Sequence, residues 1–211
     1  MQPADAKHAG VFACVILLTS MATASAQAGQ ESPTEVVRST ITEVFHILED
    51  PNLKDPAKLL SRRRLLEDVI AERFDYAEMS KRALAAAWTP LTPAERSEFV
   101  ELFKSFLSDR YAEKIEGYSG EQVRYVSERI EGHYAEVRTE LRSSKVEIPM
   151  DYRLLLKEGR WNAYDIIVDG VSLVKNYRSQ FEKVIRSGSY QELVKQLRDR
   201  TVGAGGKDKS S

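Results

Sequence analysis

Residues Trp161 to Phe181 read Trp-Asn-Ala-Tyr-Asp-Ile-Ile-Val-Asp-Gly-Val-Ser-Leu-Val-Lys-Asn-Tyr-Arg-Ser-Gln-Phe, and this stretch decides the fold. Ala163 to Val168 is β-branched and aromatic enough to form a strand with both faces covered. Gly170 permits a sharp turn, and Ser172 can cap the helix that follows. Leu173, Val174, Tyr177, Phe181, Val184 and Ile185 then recur at spacings of three and four, so that helix carries one apolar stripe. A sheet's last strand therefore runs into a helix that must pack back on something apolar.

Upstream of this stretch the hydrophobic period is 2. Gln122 to Ile130 is a weak strand. Ala135, Val137, Thr139 and Leu141 alternate with Glu136, Arg138, Glu140 and Arg142, so one face is wet. Ser143-Ser144 turns the chain, and Val146, Ile148, Met150, Tyr152, Leu154 and Leu156 alternate in the next strand. Lys157 to Arg160 turns it again. The expectation is an antiparallel meander of about four strands.

Before Gly117 the period is 3.6. Ser32-Pro33-Thr34-Glu35 and Thr92-Pro93-Ala94-Glu95 are capping boxes with Pro at the first helical position, and Asp75 to Glu78 repeats the cap. The first helix buries Val36, Val37, Thr40, Ile41, Val44, Ile47 and Leu48, and Asp50-Pro51-Asn52 stops it. A second begins at Asp55-Pro56 and faces Leu59, Leu60, Leu66, Val69 and Ile70 inward. Arg62-Arg63-Arg64 rides on it, as a solvated face or as a dock for an acidic partner. A short helix runs through Met79, Ala83 and Leu84 towards Trp88. The longest, from Thr92 to Gly117, has the aromatic stripe Phe99, Leu102, Phe103, Phe106, Leu107, Tyr111 and Ile115. After Ile185, Ser189 to Glu192 caps a terminal helix with Leu193, Val194 and Leu197 inward.

The ends are different material. Residues 1–26 are expected to be a signal peptide: Lys7 and His8 precede an apolar run that ends at Ala24-Ser25-Ala26, an A-x-A cleavage site. Residues 27–200 then form one domain, and 201–211 a disordered tail of Gly, Lys and Ser. The single cysteine, Cys14, lies in the leader, so the exported chain holds together by its core without disulfides. Formal net charge is −1, and Lys7 and Asp5 cancel within the leader. No basic field exists to attract nucleic acid.

Catalytic motifs are missing. His46 and His133 sit in unrelated elements without cysteine, so neither a metal nor a cofactor site is expected. Gly170-Val171-Ser172 lacks the second Gly of a nucleophile elbow, and helix capping accounts for Ser172. Asp165 stands out as a carboxylate in a buried run that needs a partner, with Arg178 on the next helix as the candidate. The pair reads as structural.

Apolar surplus is the remaining signal. Stripes of Leu and Phe more often make core than ligand site, yet Phe99, Phe103, Phe106 and Tyr111 on the long helix, with Tyr125, Tyr152 and Tyr164 in the meander, suit an apolar cavity with Tyr hydroxyls near its mouth. The fold class is thus α+β: a curved antiparallel sheet against a bundle of helices, with either a closed core or an apolar cavity between them; the cavity is what the resemblance of these residues to a known family implies. Alternation selects the lining as Val137, Leu141, Ile148, Tyr152, Leu154, Tyr164, Ile166 and Val168 from the strands. Phe103, Leu107, Tyr111, Val171 and Val174 complete it from helices.

The same residues carry a resemblance. Phe74-Asp75-Tyr76 with Met79, Arg82-Ala83-Leu84 and Trp88 resembles the N-terminal helical signature of the MlaC, or toluene-tolerance, family. Glu98-Phe99-Val100 with Phe103, Leu107 and Tyr111 is similar to its long helix, Pro149 to Leu154 to its third strand, and Trp161 to Phe181 to its most specific segment. The resemblance implies a monomeric periplasmic carrier without catalytic residues. It would shuttle phospholipid between an inner-membrane ABC lipid transporter complex and an outer-membrane lipoprotein complex. In a hopanoid-associated branch of the family the cargo would be hopanoid instead. Two other classes stay open: an enzyme on a cone-shaped α+β fold with Asp165 or His133 as base, and a secreted interaction module with a filled core.

Overall fold

The computed structural model describes residues 31–143 and 146–206. The leader, Ser144 of the expected turn and the last five residues lie outside them. Six helices and five strands follow in the order α1 (Pro33–Glu49), α2 (Leu59–Arg73), α3 (Tyr76–Leu84), α4 (Pro93–Glu116), β1 (Gln122–Glu131), β2 (Tyr134–Arg142), β3 (Glu147–Lys157), β4 (Arg160–Val168), β5 (Val171–Ser172), α5 (Leu173–Ser187) and α6 (Tyr190–Gly206). The strands form one open antiparallel meander in sequence order.

Local chemistry sets the boundaries where the caps predict them. Ser32 Oγ accepts from the Glu35 amide at 3.2 Å, and Asp75 Oδ1 accepts from the Glu78 amide at 2.9 Å. At the head of α4, Thr92 Oγ1 accepts from the Glu95 amide while Glu95 Oε2 accepts from the Thr92 amide, closing the box. α2 starts later than expected. Asp55 caps a 3-10 turn over Pro56–Lys58, and the α-helix begins only at Leu59. Leu60 consequently points outward and is 59% exposed. α6 runs to Gly206, past the Arg200 at which the sequence reading ends the domain.

The fifth strand corrects the count of four. Asp169 and Gly170 both take positive φ, 49° and 76°, the geometry of a two-residue hairpin turn. That turn returns Val171 opposite Val168 before Ser172 caps α5. β5 is too short to cover the whole edge of β4. Phe74, between α2 and α3, pairs in parallel with Ala163 on the uncovered part, and the Asp75 amide donates to the Ala163 carbonyl at 2.9 Å.

Two apolar cores result. One is helical: α3, α4, α5 and α6 enclose Phe99, Phe103, Phe106, Tyr177 and Phe181, whose rings meet mostly edge to face at 5.3–5.9 Å. The other joins α1 to the sheet, where Val36 and Val37 meet Ala135, Val137, Leu154, Trp161 and Ala163. Phe74 touches both. No helix among the described residues is long and apolar enough to cross a membrane.

Candidate functional site

Residues directly opposite each other in an antiparallel sheet share a face. The register sets Val137 opposite Tyr152 and Tyr152 opposite Ile166; Leu141 faces Ile148, and Met150 lies between Thr139 and Val168. Val137 and Leu154 belong to the core under α1, so this whole set lies on the α1 side. The face is covered unevenly. Towards Ala135, Leu154 and Trp161 it is buried, whereas Tyr125, Leu141, Ile148, Met150, Tyr152 and Ile166 are half-buried and Val168 is 40% exposed. An incompletely covered apolar strip remains.

α1 crosses this face. Its N-terminal turn packs on the buried end, and Glu128 of β1 accepts from the Thr34 amide there at 2.7 Å. Its other end meets the segment before β1: Phe45 stacks on Tyr118 at 4.4 Å, and Tyr118 donates to Glu49. The half-buried Ile41 packs against the sheet core beside Tyr125 and Tyr152. α2 packs on α1 and is tied to α4 by Arg63 Nε donating to Glu116 at 3.1 Å, by Arg62 at 3.9 Å from the same carboxylate, and by Ser108 donating to Glu67. That hydrogen bond to Glu116 raises the Arg63 guanidinium pKa. Two of the three consecutive arginines thus clasp α2 to the end of α4, while Arg64 is exposed.

Tyr152 marks the middle of the strip. Burial pushes its phenol well above the usual tyrosine range, with Tyr125 adding a smaller push in the same direction. Yet part of its surface stays accessible to solvent.

The expected lining divides between this strip and the helical core. Val137, Leu141, Ile148, Tyr152, Leu154, Ile166 and Val168 share the α1-side face. Phe103, Leu107 and Val174 lie in the helical core with Tyr111 packed against it, and Phe103 is completely buried among other rings. Tyr164 changes side. A β-bulge sets Arg153 opposite Asp165 and Leu154 opposite Ala163, which leaves Tyr164 as the extra residue and breaks the alternation. It joins the helical core, stacks under the Arg82 guanidinium at 4.1 Å and meets Tyr134 edge to face. Val171 is no helix residue; it sits on the edge strand, 59% exposed. The expected lining left out Tyr125, Thr139 and Met150, although alternation already sets Thr139 in phase with Val137 and Met150 in phase with Tyr152; the register adds Tyr125 opposite Thr139 on the same face.

Asp165 finds partners other than Arg178. It is buried, accepts from Ser172 Oγ at 2.6 Å and from the Val174 amide at 3.0 Å, and lies 3.7 Å from Arg153 on β3. Both oxygens are engaged in joining β4 to the start of α5, and Arg178 is exposed. His46 and His133 are exposed as well. Two concavities occur elsewhere. One of about 160 Å³ lies beside Arg129, Glu131, Glu136 and Arg153; the other, of about 420 Å³, lies beside Glu72, Asp75, Glu101, Lys104, Lys157 and Arg160. Their charged walls are unsuited to acyl chains.

A family model described as MlaC protein matches residues 38–199. The intermembrane phospholipid transport system binding protein MlaC of Haemophilus influenzae is 21% identical over 157 residues, covering 72% of this chain and 70% of that protein. A phospholipid-binding protein from Ralstonia solanacearum, whose structure was solved in complex with a phospholipid, is 26% identical; it superposes with a TM-score of 0.73 over 81% of this chain and 97% of its own.

Proposed function

The chain belongs to the MlaC family, and on that premise we propose that it is a periplasmic phospholipid carrier. It is exported by its cleavable leader and shuttles lipid between an inner-membrane ABC transporter complex and an outer-membrane lipoprotein complex. Acyl chains lie along the apolar strip of β1–β4 under α1, and the protein contributes no catalytic group.

The carrying observation is the row of Leu141, Ile148, Met150, Tyr152 and Ile166, which shares the α1-side face of the sheet and is only half-buried. A row of apolar side chains left without full cover suits a hydrocarbon ligand. Each methylene kept from water is worth about 0.8 kcal/mol, so a dozen contribute roughly 10 kcal/mol. The ligand of the Ralstonia relative and the transport role in the Haemophilus relative's name support the same cargo. Loading then requires the α1–α2 hairpin to shift from the sheet, since it crosses the strip and is clasped at both ends.

Native mass spectrometry of the protein taken from a periplasmic extract, followed by denaturing extraction, tests the reading. One bound phospholipid per chain is expected. A hopanoid would rename the cargo, and a lipid-free protein that takes nothing from phospholipid vesicles would overturn the carrier.

A further inference from the structure

Within the apolar strip two hydroxyls lack a strong acceptor. Tyr152 donates to Met150 Sδ at 3.0 Å, and a thioether is a weak acceptor. Among the described residues Tyr125 makes no hydrogen bond through its phenol, whose environment is also desolvated. The two rings stand on the same face, diagonal across β2: Tyr125 is opposite Thr139, and Tyr152 is opposite Val137, the next residue of that face. Thr139 offers nothing, because its hydroxyl is committed to the Met150 carbonyl at 2.6 Å. At the outer side, the Arg38 guanidinium of α1 lies over the Tyr125 ring at 4.0 Å, is about half exposed, and donates to Glu35 at 3.3 Å, a surface pair that a phosphate would have to share. Polarity thus rises along one line, from the deep phenol through the second phenol to a cation at the rim.

We propose that Tyr152 and Tyr125 donate hydrogen bonds to the ester carbonyls of a diacyl glycerophospholipid, with Arg38 beside its phosphate, so that the protein grips the polar waist of the lipid as well as its tails. This rests on the carrier reading and deepens it. Both phenols are half-buried, and an ester carbonyl is a better acceptor than a thioether. A hydrocarbon tail has no acceptor, whereas an ester-linked glycerol presents two carbonyls next to an anionic phosphate. The phenols fix the depth at which the lipid stops, and the guanidinium sets which end remains outside. A dialkyl ether lipid of equal chain length fills the same space but lacks the carbonyls and offers only ether oxygens, set closer to the glycerol and weaker as acceptors, so the site distinguishes ester from ether linkage.

The test offers lipid-free protein an equimolar mixture of dipalmitoyl phosphatidylcholine and its dihexadecyl ether analogue in vesicles, and counts bound species by native mass spectrometry. Wild type should load the ester form in roughly five-fold excess, the size of one neutral hydrogen bond. Tyr152→Phe should bring the ester-to-ether ratio of whatever lipid it loads towards parity. Equal loading of both lipids by wild type, or an undiminished ester preference in Tyr152→Phe, overturns the waist contact while leaving a carrier. Loading of neither lipid by wild type overturns the carrier reading itself.

Discussion

Asp165 is a buried carboxylate whose value lies in what it ties together. It receives the Ser172 hydroxyl and the Val174 amide, so it orients the first turn of α5 against β4, and the Arg153 guanidinium at 3.7 Å offsets its charge. Ser172 Oγ in turn accepts from the Lys175 amide at 3.0 Å. Removing the carboxylate leaves a buried hydroxyl and an orphan helix amide. Asp165→Ala should therefore cost about 2–4 kcal/mol, and Asp165→Asn less, since one amide oxygen still serves Val174. Urea midpoints of both variants check this. If Asp165→Ala unfolds like wild type, the bonds at this strand-to-helix junction carry no stability.

At the scale of elements, the α1–α2 hairpin is the part that has to move if lipid is to enter the strip. Apolar contacts of Val36 and Val37 anchor its base. Its far side is held mainly by polar and ring contacts: Phe45 on Tyr118, Tyr118 to Glu49, and the arginines to Glu116. Polar clasps exchange their partners for water at small net cost, whereas an apolar seam must expose surface to open. Glu116→Gln weakens the clasp without touching the strip. It should speed exchange of a fluorescent phospholipid with vesicles by two- to five-fold, at a stability cost of about 1 kcal/mol. An unchanged exchange rate would show that the hairpin is not the gate.

For the whole molecule, stability at high pH follows from phenols held in low-polarity surroundings. Burial, and secondarily Glu67, pushes Tyr76 up to about 12, and burial likewise brings Tyr118 and Tyr190 to about 12. An unfolded tyrosine ionises near pH 10. Below that pH both states keep the proton and the contribution is complete. Between pH 10 and 12 the unfolded chain releases protons that the folded chain retains, so stability falls as pH rises. Denaturant titrations at pH 8 and pH 11 should show the drop, and Tyr76→Phe should make it smaller by about 1 kcal/mol. A drop of the same size in the variant would mean that Tyr76 ionises in the native state as freely as in the unfolded chain.

Much of the architecture is local in origin and therefore legible in the residues themselves. A capping Ser, Thr or Asp with Glu three residues on marks where α1, α3, α4 and α6 begin, and the change of period after Gly117 marks the passage from helix to sheet. Family membership is legible for the same reason, since its signature lies in contiguous segments. The faces of the candidate site are not. Strict alternation assigns Tyr164 to the side of Ile166, but one extra residue opposite Arg153 turns it into the helical core. Phe103 and Tyr152 are equally aromatic in sequence. Only packing surrounds one with the rings of Phe99, Tyr177 and Phe181 and leaves the other half-buried. Pairing register, bulges and the path of α1 over the sheet arise between residues far apart in the chain, where neither propensity nor period reaches. The residues alone thus determined the elements and the family, and the tertiary structure alone decided which apolar surface stays uncovered.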